Sequence, residues 1–206
     1  MKTIAIISHK GGAGKTTLAV HLAVAATLDQ KTTAVIDLDP QASATEWGDS
    51  REAEDPAVTS AQASRLPKVL EAAQNSGADL VIIDTAPHSE SSALAAARAA
   101  DLVVVPCRPA IFDLRAIRAT ADLIKLADAQ ACVVINATPA RGTRAEEAAL
   151  AISNYNLTVL PTRLGNRTAF NDSVTMGKTA QEYEPTGKAA REIDEVYKSI
   201  CQFVEM

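Results

Sequence analysis

Five short apolar runs, separated by longer polar and helical stretches, constrain the fold of this chain more than any other feature. The runs are TIAIIS (3–8), TAVID (33–37), LVIID (80–84), LVVVP (102–106) and CVVIN (132–136). Apolar residues recur at helical intervals in 17–28, 91–100 and 114–127. Continuous β-branched runs that alternate with helices are typical of parallel strands buried on both faces, joined by right-handed crossovers. The sequence therefore predicts an α/β fold: a doubly wound, mostly parallel sheet with helices on both faces.

The composition agrees with that fold and argues against several classes of protein. A chain of 206 residues fits one domain over residues 1–206. Hydrophobic residues make up 47% but aromatic residues only 3%, so small aliphatic side chains build the core, which favours α/β over a β-sandwich. The three cysteines, Cys107, Cys132 and Cys201, are far apart, which argues against a zinc site or a disulfide framework. No apolar stretch at the start resembles a membrane span or signal, so we expect a cytoplasmic protein without a membrane partner.

The charge is distributed unevenly along the chain. All of the acidic excess lies in residues 1–97, whereas residues 98–206 are balanced and carry mostly arginine as their basic residue. Taken alone, this pattern indicates ordinary solvated helix faces. The segment 48–65, GDSREAEDPAVTSAQASR, is expected to be the most flexible part of the chain.

The residues HKGGAGKTT (9–17) form a variant phosphate-binding loop between a predicted strand and a predicted helix. Glycines let the backbone approach phosphate, and the free N–H groups at the start of a helix supply donors and a positive dipole. We expect Lys15 to reach the β- and γ-phosphates, Thr16 to ligate Mg²⁺ and Thr17 to donate to the α-phosphate. The predicted nucleotide contacts are Gly11, Gly12, Ala13, Gly14, Lys15, Thr16 and Thr17. ATP and Mg²⁺ are therefore the expected cofactors.

Carboxylates at two further strand ends complete the predicted chemistry. Ligands bind beyond the carboxyl ends of the strands in such sheets. LVIID delivers Asp84, which we expect to hold a water of the metal. The segment DLDPQ (37–41) adds two carboxylates, of which Asp39 is expected to orient the attacking water and to contact the metal through water.

Together, KGGAGKTT, DLDPQ and LVIIDTAP resemble the deviant Walker ATPases of the ParA type, which partition plasmids and chromosomes, and relatives such as MinD. The resemblance continues through VPCRPAIFDL (105–114) and TRLGNRTAFNDSVTMGKTAQEYEP (162–185). It implies that Lys10 is the family's signature lysine, which crosses an ATP-bridged homodimer to the partner's phosphates. It also implies nonspecific DNA binding by that dimer and an adaptor protein, centromere-binding or cargo-binding, that stimulates hydrolysis.

The same resemblance suggests further site residues. Asn136 and Pro139 match positions near the adenine, and Arg163 and Arg167 match the family's DNA-facing arginines, with Arg141 and Arg144 as additional candidates. A dimer that binds DNA would be associated with the nucleoid.

Three alternatives remain open from the sequence. MinD-like proteins end in a basic amphipathic membrane helix, whereas REIDEVYKSICQFVEM (191–206) combines an apolar stripe with several acids and is better explained by packing on its own sheet. Small-molecule enzymes of the dethiobiotin synthetase type share the loop but lack the DPQ segment. The first strand begins at Lys2, so we expect no helix-turn-helix domain ahead of it. The expected cargo of a ParA-type protein is a plasmid or chromosome, with a carboxysome as the alternative.

Overall fold

The computed structural model describes residues 1–87 and 89–206, and a seven-stranded parallel sheet forms its centre. The strands are β1 (Lys2–Ile6), β2 (Thr33–Asp37), β3 (Ala57–Ser60), β4 (Leu80–Asp84), β5 (Leu102–Cys107), β6 (Ala131–Ile135) and β7 (Thr158–Val159). Their order across the sheet is β3-β2-β4-β1-β5-β6-β7. Because all strands are parallel, their carboxyl ends lie at one edge of the sheet, which we call the carboxyl edge.

Helices cover both faces of the sheet. On one face lie α1 (Lys15–Leu28), α2 (Ser43–Asp49), α7 (Thr168–Thr175), α8 (Ala180–Tyr183) and α9 (Lys188–Val204). On the other face lie α3 (Leu66–Asn75), α4 (Glu90–Ala99), α5 (Ile111–Ala127) and α6 (Arg144–Ser153). Alternate side chains of one strand belong to the cores on opposite faces of the sheet. Ile4 lies in the core with α1 and α9, whereas Ala5 lies in the core with α4 and α5. This alternation explains why the strands are apolar throughout.

The sequence-based fold prediction is confirmed. The five predicted strands correspond to β1, β2, β4, β5 and β6, and the predicted helices correspond to α1, α4 and α5. The apolar stripe of the last helix, α9, is buried in the core that it shares with α1. No helix within residues 1–87 and 89–206 is long and apolar enough to span a membrane.

Two strands were not predicted. The edge strand β3 lies within 48–65, the segment that the sequence marks as the most flexible, and it pairs in parallel with β2. Its side chains are mostly exposed, so the hydrophobic pattern of a buried strand is missing. The two-residue β7 is too short to give a pattern of its own.

A buried histidine joins α1 to α8. His21 is fully buried, and its Nδ1 lies 2.7 Å from the carbonyl oxygen of Thr17. The N–H of Ala180 donates to its Nε2 at 3.0 Å. Since a backbone N–H can only donate, Nε2 accepts and Nδ1 carries the proton, so both ring nitrogens are satisfied by the neutral imidazole. Burial lowers the pKa of His21 to about 4, while the bond to Thr17 and the charge of Glu182 act in the opposite direction.

This histidine should make stability depend on pH. Its pKa is lower in the folded chain than in the unfolded chain, so its stabilisation is complete above pH 6.5 and is lost as the pH falls toward 4. Between pH 7.5 and pH 5 the loss should be about 2 kcal/mol, from 1.36 kcal/mol per pKa unit. Urea unfolding of wild type and His21→Gln at both pH values measures it. The variant should lose about 2 kcal/mol less than wild type, and equal losses would contradict the assignment.

Candidate nucleotide-binding site

The loop between β1 and α1 presents backbone donors at the carboxyl edge. Helix α1 begins at Lys15, and its N-cap, Gly14, provides no side chain to accept from the first turn. The first N–H groups of a helix lack intrahelical acceptors and carry the positive end of the helix dipole. Open space surrounds the positions where a Cβ would lie on Gly11 and Gly12. The loop can therefore receive an anion such as a nucleotide phosphate.

Gly14 is required by its backbone conformation and by its surroundings. Its φ of 94° is left-handed, and a Cβ at this position would lie 2.3 Å from Nδ2 of Asn136. The same Nδ2 donates to the carbonyl oxygen of Ala13 at 2.7 Å, and the Oδ1 of Asn136 accepts from the N–H of Ala137 at 2.7 Å. The amide of Asn136 therefore ties the end of β6 to the phosphate loop.

Asp84 and Thr16 form the part of the site that suits Mg²⁺. Asp84 is fully buried, and the Thr16 hydroxyl donates to its Oδ2 at 2.6 Å. The other oxygen, Oδ1, is buried without a hydrogen-bond partner in the described part of the chain, which is rare for a polar atom. Protein-bound Mg²⁺ keeps several waters and takes few direct protein ligands. A metal-bound water would satisfy Oδ1 and the Thr16 oxygen would ligate directly, so these residues fit the predicted ion.

The charges at this site depend on one another. Lys15 is buried, which lowers its pKa, while the nearby carboxylates Asp84 and Asp39 act to raise it. Burial raises the pKa of Asp84 to about 7; the Thr16 hydrogen bond and Lys15 lower it, and Asp37 and Asp39 raise it. A magnesium nucleotide would bring both a cation for Asp84 and an anion for Lys15.

The DLDPQ segment contains one structural carboxylate and one that faces open space. Asp37 is buried, and its Oδ2 accepts from the N–H groups of Ala44 and Thr45, each at 3.0 Å. Its Oδ1 accepts from the N–H of Asp39 at 2.9 Å, so Asp37 fixes the start of α2. Asp39 is half-buried, accepts from the N–H of Gln41 at 3.0 Å and lines a cleft of about 1000 Å³. Asp39 is therefore the carboxylate of this pair that water can reach.

Lys10 has no carboxylate partner within its own described chain. Its ammonium lies more than 4.0 Å from every carboxylate of residues 1–87 and 89–206. The backbone around it is held in place: the Lys10 N–H donates to Ser8 Oγ at 3.4 Å, and Nδ1 of His9 lies 3.1 Å from Oγ1 of Thr120 on α5. The loop thus anchors the residue without neutralising its charge.

A small pocket of about 90 Å³ lies beside Gly14, on the β6 side of the loop. It is lined by Thr17, Asn136, Asn166 and Arg108, among others, whereas Pro139 does not line it. Asn136 lines this pocket, and the adenine roles of Asn136 and Pro139 both stay predictions. Arg108 was not predicted, although it follows the end of β5, where the strand-end rule directs attention.

The two predicted DNA-facing arginines are both paired with glutamates. Arg163 donates from Nη1 to Oε1 of Glu146 at 2.6 Å. Arg167 donates from Nε to Oε2 of Glu192 at 2.9 Å and makes a second contact from Nη2 to Oε1. Arg167 also lines the small pocket beside Gly14. The contact of these two arginines with DNA stays a prediction. To bind a phosphate, each guanidinium would have to leave its glutamate or bind the glutamate and the phosphate at the same time.

This strand-loop-helix with a buried Asp–Thr pair defines a P-loop nucleotide-binding protein. Residues 4–180 match the family model described as the CobQ/CobB/MinD/ParA nucleotide binding domain. The chain belongs to this family.

The chain is similar in sequence to several named relatives. "Maintenance of carboxysome distribution protein A" of Halothiobacillus neapolitanus is 25% identical over 96% of this chain and 95% of its own length. The protein of the same name from Gloeobacter kilaueensis is 40% identical, but the match covers 55% of this chain and only 52% of that relative. "Protein IncC" of Escherichia coli is 26% identical over 99% of this chain and 69% of its own length.

Two solved structures share the fold. The apo McdA structure from Cyanothece has a TM-score of 0.79 at 18% identity and covers 97% of this chain and 98% of its own. Pyrococcus horikoshii MinD, solved with Mg-ADP, has a TM-score of 0.78 at 18% identity and covers 97% of this chain and 95% of its own.

Removing the Lys15 ammonium should abolish tight nucleotide binding. Loss of one partner of a buried charge contact costs about 2 kcal/mol or more, so ATP affinity of Lys15→Ala should fall at least about 30-fold. Titration of Mg-ATP by calorimetry measures this. Lys68→Ala, which removes an exposed lysine on α3, is the matched control and should bind like wild type. Equal affinity of Lys15→Ala and wild type would contradict the phosphate-loop assignment.

Proposed function

We propose that this chain is a ParA-type ATPase that alternates between an ADP-bound monomer and an ATP-bridged homodimer. As a dimer it binds DNA without sequence preference, which associates it with the nucleoid. An adaptor protein bound to the cargo stimulates hydrolysis and so releases the dimer from DNA. The observation that carries the proposal is Lys10, a lysine held on the phosphate loop with no carboxylate partner in the described chain.

The residues of one protomer account for nucleotide binding and for part of hydrolysis. The N–H groups of the phosphate loop and Lys15 hold the phosphates, while Thr16 and Asp84 would hold Mg²⁺, which neutralises charge on the phosphate oxygens when bound. Asp39 orients a water for attack on the γ-phosphorus, and the products are ADP and inorganic phosphate. A cation supplied by a second protomer can stabilise the charge that develops in the transition state, an effect of about 10³ to 10⁵ in rate in the best cases.

The names of the relatives support two kinds of cargo system, carboxysome positioning and DNA partition. The near-full-length relative from Halothiobacillus neapolitanus carries the name of a carboxysome distribution protein, which supports carboxysome positioning. Similarity to IncC, and to a ParA of Rhizobium radiobacter that is 31% identical over 55% of this chain, supports plasmid or chromosome partition. Neighbouring genes discriminate between them: shell-protein genes indicate carboxysomes, and a small DNA-binding adaptor with nearby repeats indicates partition.

Two other functions within the family are less well supported. A MinD-like membrane role would need an available amphipathic helix, but the apolar face of α9 packs against α1 in the core. A small-molecule ligase would transfer phosphate to a metabolite, whereas a ParA-type ATPase transfers it to water. Release of one inorganic phosphate per ADP without an added acceptor supports the ATPase and would not be seen with a metabolite kinase.

The carboxylate of Asp39 should be needed for hydrolysis but not for binding. Asp39→Ala should bind ATP about as tightly as wild type and persist as a dimer, because Lys15 and the loop are intact. Its turnover should fall at least about 100-fold, as for loss of a group that orients or deprotonates the nucleophile. Asp49→Ala, which removes an exposed carboxylate at the end of α2, is the control. Unchanged turnover in Asp39→Ala would reject its role.

A mixture of two inactive variants tests whether Lys10 acts across the dimer. In a mixed dimer of Lys10→Ala and Asp39→Ala, one nucleotide has Asp39 from its own chain and Lys10 from the partner, while the other site has lost both. With random pairing and independent sites, mixing should restore about a quarter of wild-type ATPase activity.

The mixture requires proof that mixed dimers form. Differently tagged chains allow mixed dimers to be isolated. The assay uses high protein concentration, DNA and the adaptor, so that dimers form and hydrolysis is stimulated. If mixed dimers are isolated and hydrolysis does not recover, Lys10 acts within its own protomer and the ATP-bridged mechanism is rejected.

A further inference from the structure

The arginines of this chain fall into two groups that differ in how their charge is neutralised. Arg51, Arg163 and Arg167 each form a salt bridge with a glutamate. A second group is exposed, and none of its guanidinium groups lies within 4.0 Å of a carboxylate in the described chain. The members of this group that lie on α5 and around the start of α6 are Arg115, Arg118, Arg141 and Arg144. We call them the α5–α6 arginine surface.

The fold brings these four residues to one side of the carboxyl edge. Strands β5 and β6 are hydrogen-bonded neighbours, and α5 and α6 pack next to each other on the same face of the sheet. Arg115 and Arg118 are three residues apart in the first turns of α5, so their side chains are neighbours on the helix. Arg141 lies in the loop after β6, and Arg144 is the first residue of α6.

The electrostatics of this surface favour an anionic partner. The amino-terminal ends of α5 and α6 both lie here, and each adds the positive end of a helix dipole. The guanidinium of Arg115 lies 5.9 Å from the ring centroid of Phe112, a contact that orients the group and leaves its charge unneutralised.

Within the described residues, the carboxylates on the same elements do not form salt bridges with these arginines. Asp113 is buried, Glu146 pairs with Arg163, and Glu147 accepts from the Thr143 hydroxyl at 2.7 Å. Asp122, one turn after Arg118, forms no salt bridge in the described chain. None of the four arginines of the surface therefore has a salt-bridge partner in the described chain.

We propose that the α5–α6 arginine surface contacts the phosphates of DNA, and that Arg163 and Arg167 contribute less to this contact. The inference rests on the proposed function and specifies the surface that it uses. Arginine suits phosphate because its planar guanidinium donates two parallel hydrogen bonds. Contacts limited to phosphate carry no sequence information, so binding through this surface is nonspecific.

Arginines with and without a glutamate partner also differ in the free-energy cost of binding a phosphate. A phosphate that approaches Arg163 or Arg167 must displace Glu146 or Glu192, or approach a region where the glutamate repels it. None of the four surface arginines has a carboxylate to displace in the described chain. The free group is therefore the stronger source of phosphate affinity.

Salt-dependent binding to random-sequence duplex DNA tests the surface. The variants are Arg115→Ala/Arg118→Ala and Arg141→Ala/Arg144→Ala, compared with Arg163→Ala/Arg167→Ala. All are measured with Mg²⁺ and a slowly hydrolysed ATP analogue, so that turnover does not alter the bound state. The control is Lys68→Ala/Arg98→Ala, which removes two exposed charges outside the surface. Analogue affinity and dimer fraction are measured for every variant, so that a loss of DNA binding is separated from a loss of nucleotide binding or of dimerisation.

Each phosphate contact contributes about 0.9 to the slope of log affinity against log salt, so each surface pair should lower the slope by up to about 2. The control pair should leave the slope unchanged. The proposal is overturned if both surface variants retain the wild-type slope while Arg163→Ala/Arg167→Ala loses it. If wild type binds no DNA with the analogue, the proposed function itself fails. If the surface variants instead lose binding to anionic vesicles that wild type prefers to DNA, the surface is a membrane site.

Discussion

The burial of the Asp84 carboxylate is the constraint on which the rest of the site depends. It lies at the end of β4, an inner strand between β2 and β1, out of reach of water, where an ionised group costs several kcal/mol unless other groups compensate. Thr16 and Lys15 compensate in part, and Oδ1 is left without a partner in the described chain. A magnesium nucleotide would supply the missing charge, so its binding would also stabilise the folded chain.

The position of Asp39 is fixed by distant packing as well as by its own turn. Asp37 caps α2, and at the other end of this short helix Trp47 donates to the carbonyl oxygen of Lys178 at 3.1 Å. Arg51 lies 4.5 Å from the centroid of the Trp47 ring and forms a salt bridge with Glu182 at 2.8 Å. The segment that carries the proposed catalytic carboxylate is thus joined to the region around α8. Loss of either partner of this largely buried pair would leave a charge uncompensated.

The sequence predicted most of the fold, and it named the residues that meet at the start of α1 and the end of β4, because both depend on local patterns. The strands buried on both faces gave continuous apolar runs, and the loop 9–17 has a spacing that backbone chemistry requires. The exposed edge strand β3 has no such pattern. The roles of His21 and Arg51 could not be predicted, because their partners Ala180 and Glu182 are distant in sequence. The sequence favoured Asp39 over Asp37 as the residue that orients water, but gave no physical reason for that choice. The structure supplies a reason, because hydrogen bonds from the backbone occupy both oxygens of Asp37, whereas Asp39 lines the open cleft.

The chain pairs some cations internally and leaves others free, and a shortage of carboxylates does not explain the difference. Asp and Glu number 25 against 20 Lys and Arg, so acids are in excess. Arg51, which is buried, has its glutamate, as a buried charge requires. Lys10 on the phosphate loop and the arginines of α5 and α6 have no carboxylate within salt-bridge distance in the described chain. These unneutralised charges lie toward the carboxyl edge, at or beside the site where phosphates are expected to bind. Phosphates of a nucleotide or a nucleic acid could therefore provide the negative charge that these cations lack within the folded chain.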